Sequence, residues 1–534
     1  MAASNACVTA VRGRTGLARA LCQAHKISLL AQQPHRPPAD ELLAIWREKM
    51  TRREFLKRSA QSLAVLTVAG SLPLLEACNR KAFSPRVAIV GAGLAGLNAA
   101  RILKKGGLTA QVYEASTRVG GRVYTAKDLL GADRLTELGG EFIDSGHLDI
   151  LALVKEFDLE LIDLHDSAQA GLQTLYYFGG RKYAMKDLLA AYQPFAERIQ
   201  ADADRTADVV DFEHEGGAGR LDRMSLSDYF NRLDIIGWLR SFLEVAYVTE
   251  YGLETGEQSA LNFIFMVDTD LADGDFSVFG ASDERFKIKG GNGALVRAMQ
   301  KRVQHQISTG YRLLALRSTG IGYQLSFGTE GGGIRDVDAD VVLLALPFTL
   351  LREVDIRVEL PAFKRRAIDQ LGYGSNAKIF AGFNQRVWHQ HGFSGEVFSD
   401  LSSQLLWDNS VGQSGEAGGL TSFLGGTAGL RCGAIDSAQW VTDMLKQLEK
   451  VIPKLPAAFN GQIGRFHWPS HPYTKGSYAC YRPGQWTRIA GAEFRPVGNL
   501  FFAGEHCSSE YQGYMNGAAE TGRLAAEAIL KLIK

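Results

Sequence analysis

Residues 86–96 read "RVAIVGAGLAG", and the rest of the chain is placed by what these eleven positions do. The run "RVAIV" is short, apolar and rich in β-branched residues, the pattern of a buried strand. It enters a turn with Gly91, Gly93 and Gly96 in GxGxxG register. "LNAARILKKGG" (97–107) then has helical periodicity and stops at Gly106-Gly107, and "TAQVYEAS" (109–116) is a second strand closing on Glu114. The three glycines do different things. Gly91 makes the turn, Gly93 lets backbone approach a pyrophosphate, and Gly96 packs helix on strand. The helix start offers free N–H groups and the positive end of its dipole to phosphate, and Glu114 can accept from ribose hydroxyls. A strand, glycine turn, helix and strand in one unit predict dinucleotide binding far more specifically than the glycines alone. Directly beyond it, "RVGGRVY" (118–124) supplies Arg118 and Arg122 as countercharges for a second phosphate. Its glycine pair, which includes Gly121, allows another close approach.

Composition narrows the remaining choices. With 534 residues, 46% hydrophobic, the chain can hold two or three domains with large cores. Lys plus Arg number 59 and Asp plus Glu 58, so charge gives no reason to expect nucleic acid as a partner. The six cysteines form no CxxC pair. His389 with His391, or His467 with His471, lack the cysteine or acidic companions of a metal site, so no metal is expected. No apolar stretch is long enough for a transmembrane helix.

Several later blocks, in order, resemble the flavin-containing amine oxidase family, which includes monoamine, polyamine and L-amino acid oxidases. "VAIVGAGLAGLNAARIL" with "VYEASTRVGGRVYT" is similar to that family's opening, and "ELGGEFID" (137–144) to its next block. "KIKGGNGALVRAM" (287–299), "ADVVLLALPFTLL" (339–351) and "NLFFAGEHCSSEYQGYMNGAAETGRLAAEAI" (499–529) follow in family order. The resemblance implies non-covalently bound FAD and an α/β fold. A Rossmann-like, glutathione-reductase-like FAD domain would be assembled from 84–145, 281–351 and 476–534. Residues 146–280 and 352–475 would form a substrate domain of mixed sheet and helices, the helical patterns "LDILALVKEF" and "YAMKDLLAAYQPFAERIQADA" among them.

The resemblance also assigns a site. Gly139 and Gly140 would lie near the isoalloxazine, Glu505 after Gly504 would reach the ribityl region, and the helix opening at Met515 would point its N-terminus at the flavin. In "TKGSYACYRPG" (474–484), Ser477 stands where monoamine oxidases have the cysteine bound covalently to flavin, and Cys480 is out of register. Serine forms no thioether, hence the non-covalent expectation. Tyr478 and Tyr514 match the family's aromatic cage, whose electron-rich faces suit an amine, and Trp468 falls where an aromatic ring packs on the flavin. Lys378, in the apolar strand "NAKIF", matches a lysine bonded through water to flavin N5. A buried lysine requires a partner or a neutral state. The expected reaction is oxidation of an amine beside its nitrogen, giving an imine, then aldehyde and ammonia, with dioxygen reduced to hydrogen peroxide. An L-amino acid oxidase, or a desaturase or dehydrogenase with another acceptor, stays open. Glu141, where some amino acid oxidases place an arginine, would favour a cationic substrate over one bearing a carboxylate.

The N-terminal region carries a separate message. "TRREFLKR" (51–58) followed by "SAQSLAVLTVAGSLPLLEAC" resembles a twin-arginine export signal, with Met50 directly before it. Residues 1–49 then read as a non-native or disordered extension and 50–78 as the signal. Leu75-Glu76-Ala77-Cys78 resembles a lipoprotein box, which would allow a lipid anchor at Cys78. Export machinery that carries folded proteins suits a protein loaded with FAD beforehand, so a periplasmic location is expected. The sequence does not specify assembly; a homodimer is compatible with it.

Overall fold

The computed structural model describes residues 85–533 apart from 167, 168, 170 and 272–275. The expected extension, the export signal and Cys78 lie outside the described residues. Val87–Val90, buried at all four positions, is the centre of a five-stranded sheet. Its order is Leu500–Phe502, Val341–Leu344, Val87–Val90, Ala110–Glu114 and Ile307–Thr309, with every pairing parallel. Near-continuous apolar strands are what a parallel sheet covered on both faces requires.

One covering layer is the helix Leu94–Lys105, with the C-terminal helix Met515–Ile533 packed on it. Small residues permit that contact: a Cβ on Gly522 would lie 2.3 Å from the Ala95 carbonyl oxygen. The nucleotide half therefore closes only when segments from the start, middle and end of the described chain meet. A four-stranded sheet, Ile334–Ala339, Tyr323–Thr329, Tyr311–Ser318 and Asp355–Arg357, lies in the same half, its Leu316, Leu325 and Phe327 sharing a core with Leu344 and Phe502.

A seven-stranded mixed sheet forms the second half, in the order Phe459–His467, Ala377–Phe383, Gly418–Leu424, Leu405–Asp408, Phe393–Ser399, Gln173–Phe178 and Arg181–Tyr183. Helices Met185–Asp204 and Gly237–Tyr251 join its aromatic core through Tyr192, Phe242 and Tyr247. Three segments depart from the expected division. Strand Asp355–Arg357, expected in the substrate domain, pairs with Tyr311–Ser318 in the nucleotide half. Helix Leu148–Glu156, expected among the substrate helices, puts Ile150, Leu153 and Val154 into the nucleotide core. Helix Ala362–Gln370 puts Ala367 and Ile368 beside Leu344 and Phe502. Both are amphipathic, and periodicity reports that a helix has a buried face without saying which core receives it.

Candidate active site

A cavity of about 340 Å³ runs from the glycine turn to the seven-stranded sheet. At the nucleotide end the three glycines differ in kind. Gly91 has φ +103°, and a Cβ there would lie 2.4 Å from the Ala345 carbonyl oxygen. A Cβ on Gly96 would lie 2.0 Å from the Gly91 oxygen. Gly93 has ordinary φ of −71°, and a Cβ would meet nothing in the protein closer than the Gly121 Cα, 4.0 Å away. Protein packing explains the first and third glycines. The middle one faces open cavity, as a pyrophosphate cradle requires.

Glu114 lines the same end, its two carboxylate oxygens accepting from the Ala92 N–H (2.7 Å) and the Ser116 N–H (2.8 Å). Burial raises its pKa against the pull of those bonds. The arginines behave differently from the expectation that both are phosphate countercharges. Arg118 donates to the carbonyls of Val119, Gly121 and Val123 and lies 4.1 Å over the Tyr124 ring, so it braces its own loop. Arg122 donates to Glu505 Oε1 and to the Ser477 carbonyl, both at 2.7 Å. Its charge is matched within the protein, which ties the glycine-pair loop to the C-terminal segment. Glu505 also accepts from the Gly513 N–H at 2.9 Å.

The middle of the cavity is shaped by close backbone approach. A Cβ on Gly139 would lie 1.9 Å from the Arg122 carbonyl oxygen, and one on Gly140 would lie 2.8 Å from Met515 Cγ. Gly504 has φ +141° and faces the His506 ring. Trp468 is buried against Gly139 and donates from Nε1 to the Leu138 carbonyl at 3.0 Å. Ser477 Oγ donates to Asn376 Oδ1 at 2.6 Å, so the position that holds a covalent bond in monoamine oxidases is here held by a hydrogen bond between side chains. Cys480 is buried and accepts from Asn262 Nδ2 at 3.4 Å.

Lys378 Nζ donates to Glu141 Oε2 (2.8 Å) and to the carbonyls of Gly139 (2.9 Å) and Glu137 (3.2 Å). Lys287 Nζ donates to Glu141 Oε1 at 2.8 Å, and Trp407 Nε1 reaches the same oxygen at 3.0 Å. Burial opposes ionisation of Glu141, but the pull of Lys287 and Lys378 outweighs it and holds its pKa below the usual carboxyl value. This corrects the expectation for Glu141. With two lysines on one carboxylate, Glu141 presents no net negative charge to a substrate.

Tyr478 and Tyr514 line the cavity and share an anchor that sequence reasoning missed. The Tyr478 hydroxyl donates to the Glu250 carbonyl oxygen, and the Tyr514 hydroxyl donates to Glu250 Oε1 at 3.4 Å. Burial and then the nearby Asp144 raise the Glu250 carboxyl to about 7. Glu284 and Glu396 also line the cavity and were likewise unforeseen. One signal was present: in the largely apolar helical stretch "FLEVAYVTEYG" (242–252) the charged residues are Glu244 and Glu250, and an acid there needs a reason. Of the histidines considered as metal ligands, His391 bonds to the Pro453 carbonyl, His467 to Ser470, and His471 accepts from the Tyr473 N–H, while His389 lies 3.6 Å from Asp408. Among the described residues the one cluster with metal-ligand spacing is Asp211, Glu213 and His214, at the surface.

The sequence profile of the flavin-containing amine oxidoreductases matches residues 94–530. The chain belongs to this family. Its relatives include a flavin-containing amine oxidase of Danio rerio, 23% identical, with 83% of this chain and 85% of the relative covered. A pseudooxynicotine dehydrogenase of a Pseudomonas species is also 23% identical, with 92% and 97% covered. Among solved structures, cyclohexylamine oxidase from Brevibacterium oxydans superposes with a TM-score of 0.73 at 20% identity, covering 84% of this chain and 99% of that one. Putrescine oxidase bound to putrescine gives 0.71 at 20%, with the same coverage. The protein is thus a flavin-dependent oxidoreductase of the amine oxidase family, with FAD as its cofactor. The open space at Gly93, the Glu114 carboxylate and the approaches at Gly139 and Gly140 are the features of this chain that fit it.

Proposed function

We propose that this amine oxidase takes a primary amine, removes two electrons and a proton from the carbon beside nitrogen, and releases an imine that hydrolyses to aldehyde and ammonia. FAD, when bound, supplies the hydride-accepting ring, and dioxygen takes the electrons to give hydrogen peroxide. The supporting observation is the meeting of both tyrosine hydroxyls on Glu250 in a cavity that also receives Lys378. Tyr478 and Tyr514 hold the neutral amine against their ring faces. Lys378, fixed by Glu141 and two carbonyls, holds a water at the reacting centre. Glu250, its carboxyl near 7, holds both rings and can take the proton that an alkylammonium must lose before oxidation.

An amino acid substrate fits less well. The arginines lining the cavity are committed, Arg118 to backbone carbonyls of its own loop, Arg122 to Glu505 and Arg312 to Glu353, which leaves a substrate carboxylate without an arginine clamp. A dehydrogenase reading is favoured by one finding, the Pseudomonas relative named as such. Purified holoprotein given amines separates them: peroxide released with aldehyde supports the oxidase, and turnover only with an added redox dye supports the dehydrogenase. We further propose export by the twin-arginine route, from "TRREFLKR". Fractionated cells with Arg52 and Arg53 both replaced by Lys should retain the protein inside, and unchanged export would refute the route.

A further inference from the structure

A bond at its hydroxyl does not settle which way a tyrosine ring faces. In Tyr514 the hydroxyl and Cβ lie on one axis, so the 3.4 Å bond to Glu250 Oε1, with Ser282 beside it, fixes the tip and leaves the ring free to turn. His147 meets that ring from the side. The two ring centres are 5.1 Å apart at an interplanar angle of 62°, an edge-to-face contact. The same imidazole stands edge-on to Tyr511, 5.5 Å away at 85°, and the Tyr511 hydroxyl donates to the Gly146 carbonyl at 3.1 Å. His147 is 1% exposed and does not line the cavity, so it can act on a bound molecule only through a neighbour.

Asp144 holds the imidazole at both nitrogens. Its N–H donates to Nδ1 at 2.9 Å, which puts the proton of the neutral ring on Nε2, and Nε2 lies 3.2 Å from Asp144 Oδ2. The helices that follow the two rings are joined without His147. The Ile150 N–H donates to Asn516 Oδ1 at 3.0 Å, and Arg523 pairs with Asp149. The imidazole is therefore not needed to keep helix Leu148–Glu156 against helix Met515–Ile533.

We propose that His147, held by Asp144, is a positioning residue for the oxidation: its edge stops the Tyr514 ring from turning and keeps the ring face towards the amine. Misorientation of one wall of a reaction site slows the chemical step without emptying the cofactor site. This rests on the amine oxidase reading above.

The test uses purified holoprotein and a panel of primary amines, hexylamine and benzylamine among them, with anaerobic bleaching of the flavin as readout. His147→Gln keeps an acceptor and a donor for Asp144 but removes the ring. His147→Phe keeps a ring edge for Tyr514 but leaves the Asp144 groups unpaired. Positioning predicts a crossed result. H147Q should melt at the wild-type temperature and keep its flavin, while its limiting bleaching rate falls at least about tenfold. H147F should melt about 2–4 °C lower and retain most of the rate. In a Tyr514→Leu background H147Q should change the rate by less than about twofold, because the ring it acts through is gone. An unaltered rate in H147Q overturns the proposal, as does a tenfold loss that persists beside Y514L. The cycle of H147Q with Y514L decides the matter by itself should H147F not fold. Failure of the whole panel to bleach the wild-type flavin overturns the amine reading and, with it, the role of His147.

Discussion

Gly93 and Gly96 sit three residues apart on one turn, and the protein needs them for different reasons. A methyl group at Gly96 would collide with the Gly91 carbonyl at 2.0 Å, while one at Gly93 would touch only the Gly121 Cα at 4.0 Å. Gly96→Ala should therefore lower the stability of the apoprotein by about 3 kcal/mol or more. Gly93→Ala should leave apoprotein stability within about 1 kcal/mol, yet weaken FAD binding at least about tenfold, because its methyl stands where phosphate must come. Apoprotein melting curves and FAD titrations check the pair; equal loss of stability in both would deny the cradle. Ser477 carries a second prediction at this scale. Its hydroxyl is bonded to Asn376 and cannot form a thioether, so acid denaturation should leave all flavin in the supernatant, and flavin precipitating with the protein would refute this. The glycine roles were readable from spacing alone. Glu250 was not, because its partners come from residues 478 and 514, more than two hundred positions away.

At the scale of elements, one buried ion cluster joins the loop at Glu141, the strand Phe286–Ile288 and the strand Ala377–Phe383. Removing the shared carboxylate with Glu141→Gln leaves two buried ammonium groups facing each other, and should cost about 3–5 kcal/mol. Lys378→Met leaves the Glu141–Lys287 pair intact and should cost no more than about 2 kcal/mol, while slowing turnover and sparing FAD content. Denaturant melts of the two variants decide the order; a more costly K378M would mean that Lys287 does not neutralise Glu141. That Lys378 needed a partner could be read from a lysine in an apolar strand. Which partner could not, because Lys287 and Lys378 lie 146 and 237 residues from Glu141 and only the fold brings them together. The same limit explains Arg122, which reads as a phosphate ligand beside its glycines until Glu505 arrives from 383 residues away. It explains helix Leu148–Glu156 as well, whose apolar face fits either core until packing chooses.

For the whole molecule, the nucleotide half was legible because its parts follow a fixed order of strand, turn and helix, each with local signals. The cavity's acidic wall was not, because Glu250, Glu284 and Glu396 lie far apart in the sequence and acquire meaning only where the two halves face each other across one space. Holding these carboxyls has a consequence for pH. The Glu250 carboxyl sits near 7 in the folded chain against an ordinary 4.5, so between those values the folded state binds more protons than the unfolded state. Stability contributed by the protonated group is present below about 4.5 and is lost as pH rises towards 7, by no more than about 3 kcal/mol. Glu250→Gln should flatten that decline in apoprotein melts, and an identical slope in variant and wild type would count against a raised Glu250.

Everything proposed for the cavity depends on an amine at Tyr478 and Tyr514 passing its electrons straight to the bound flavin. That step is visible when the yellow holoprotein is mixed with a primary amine in the absence of oxygen and the flavin absorption is followed. The absorption should bleach, with one aldehyde formed per flavin. Replacing both tyrosines by Leu should slow the bleaching about a hundredfold or more while the protein stays yellow beforehand. A flavin that stays oxidised with every amine offered would overturn the proposed reaction.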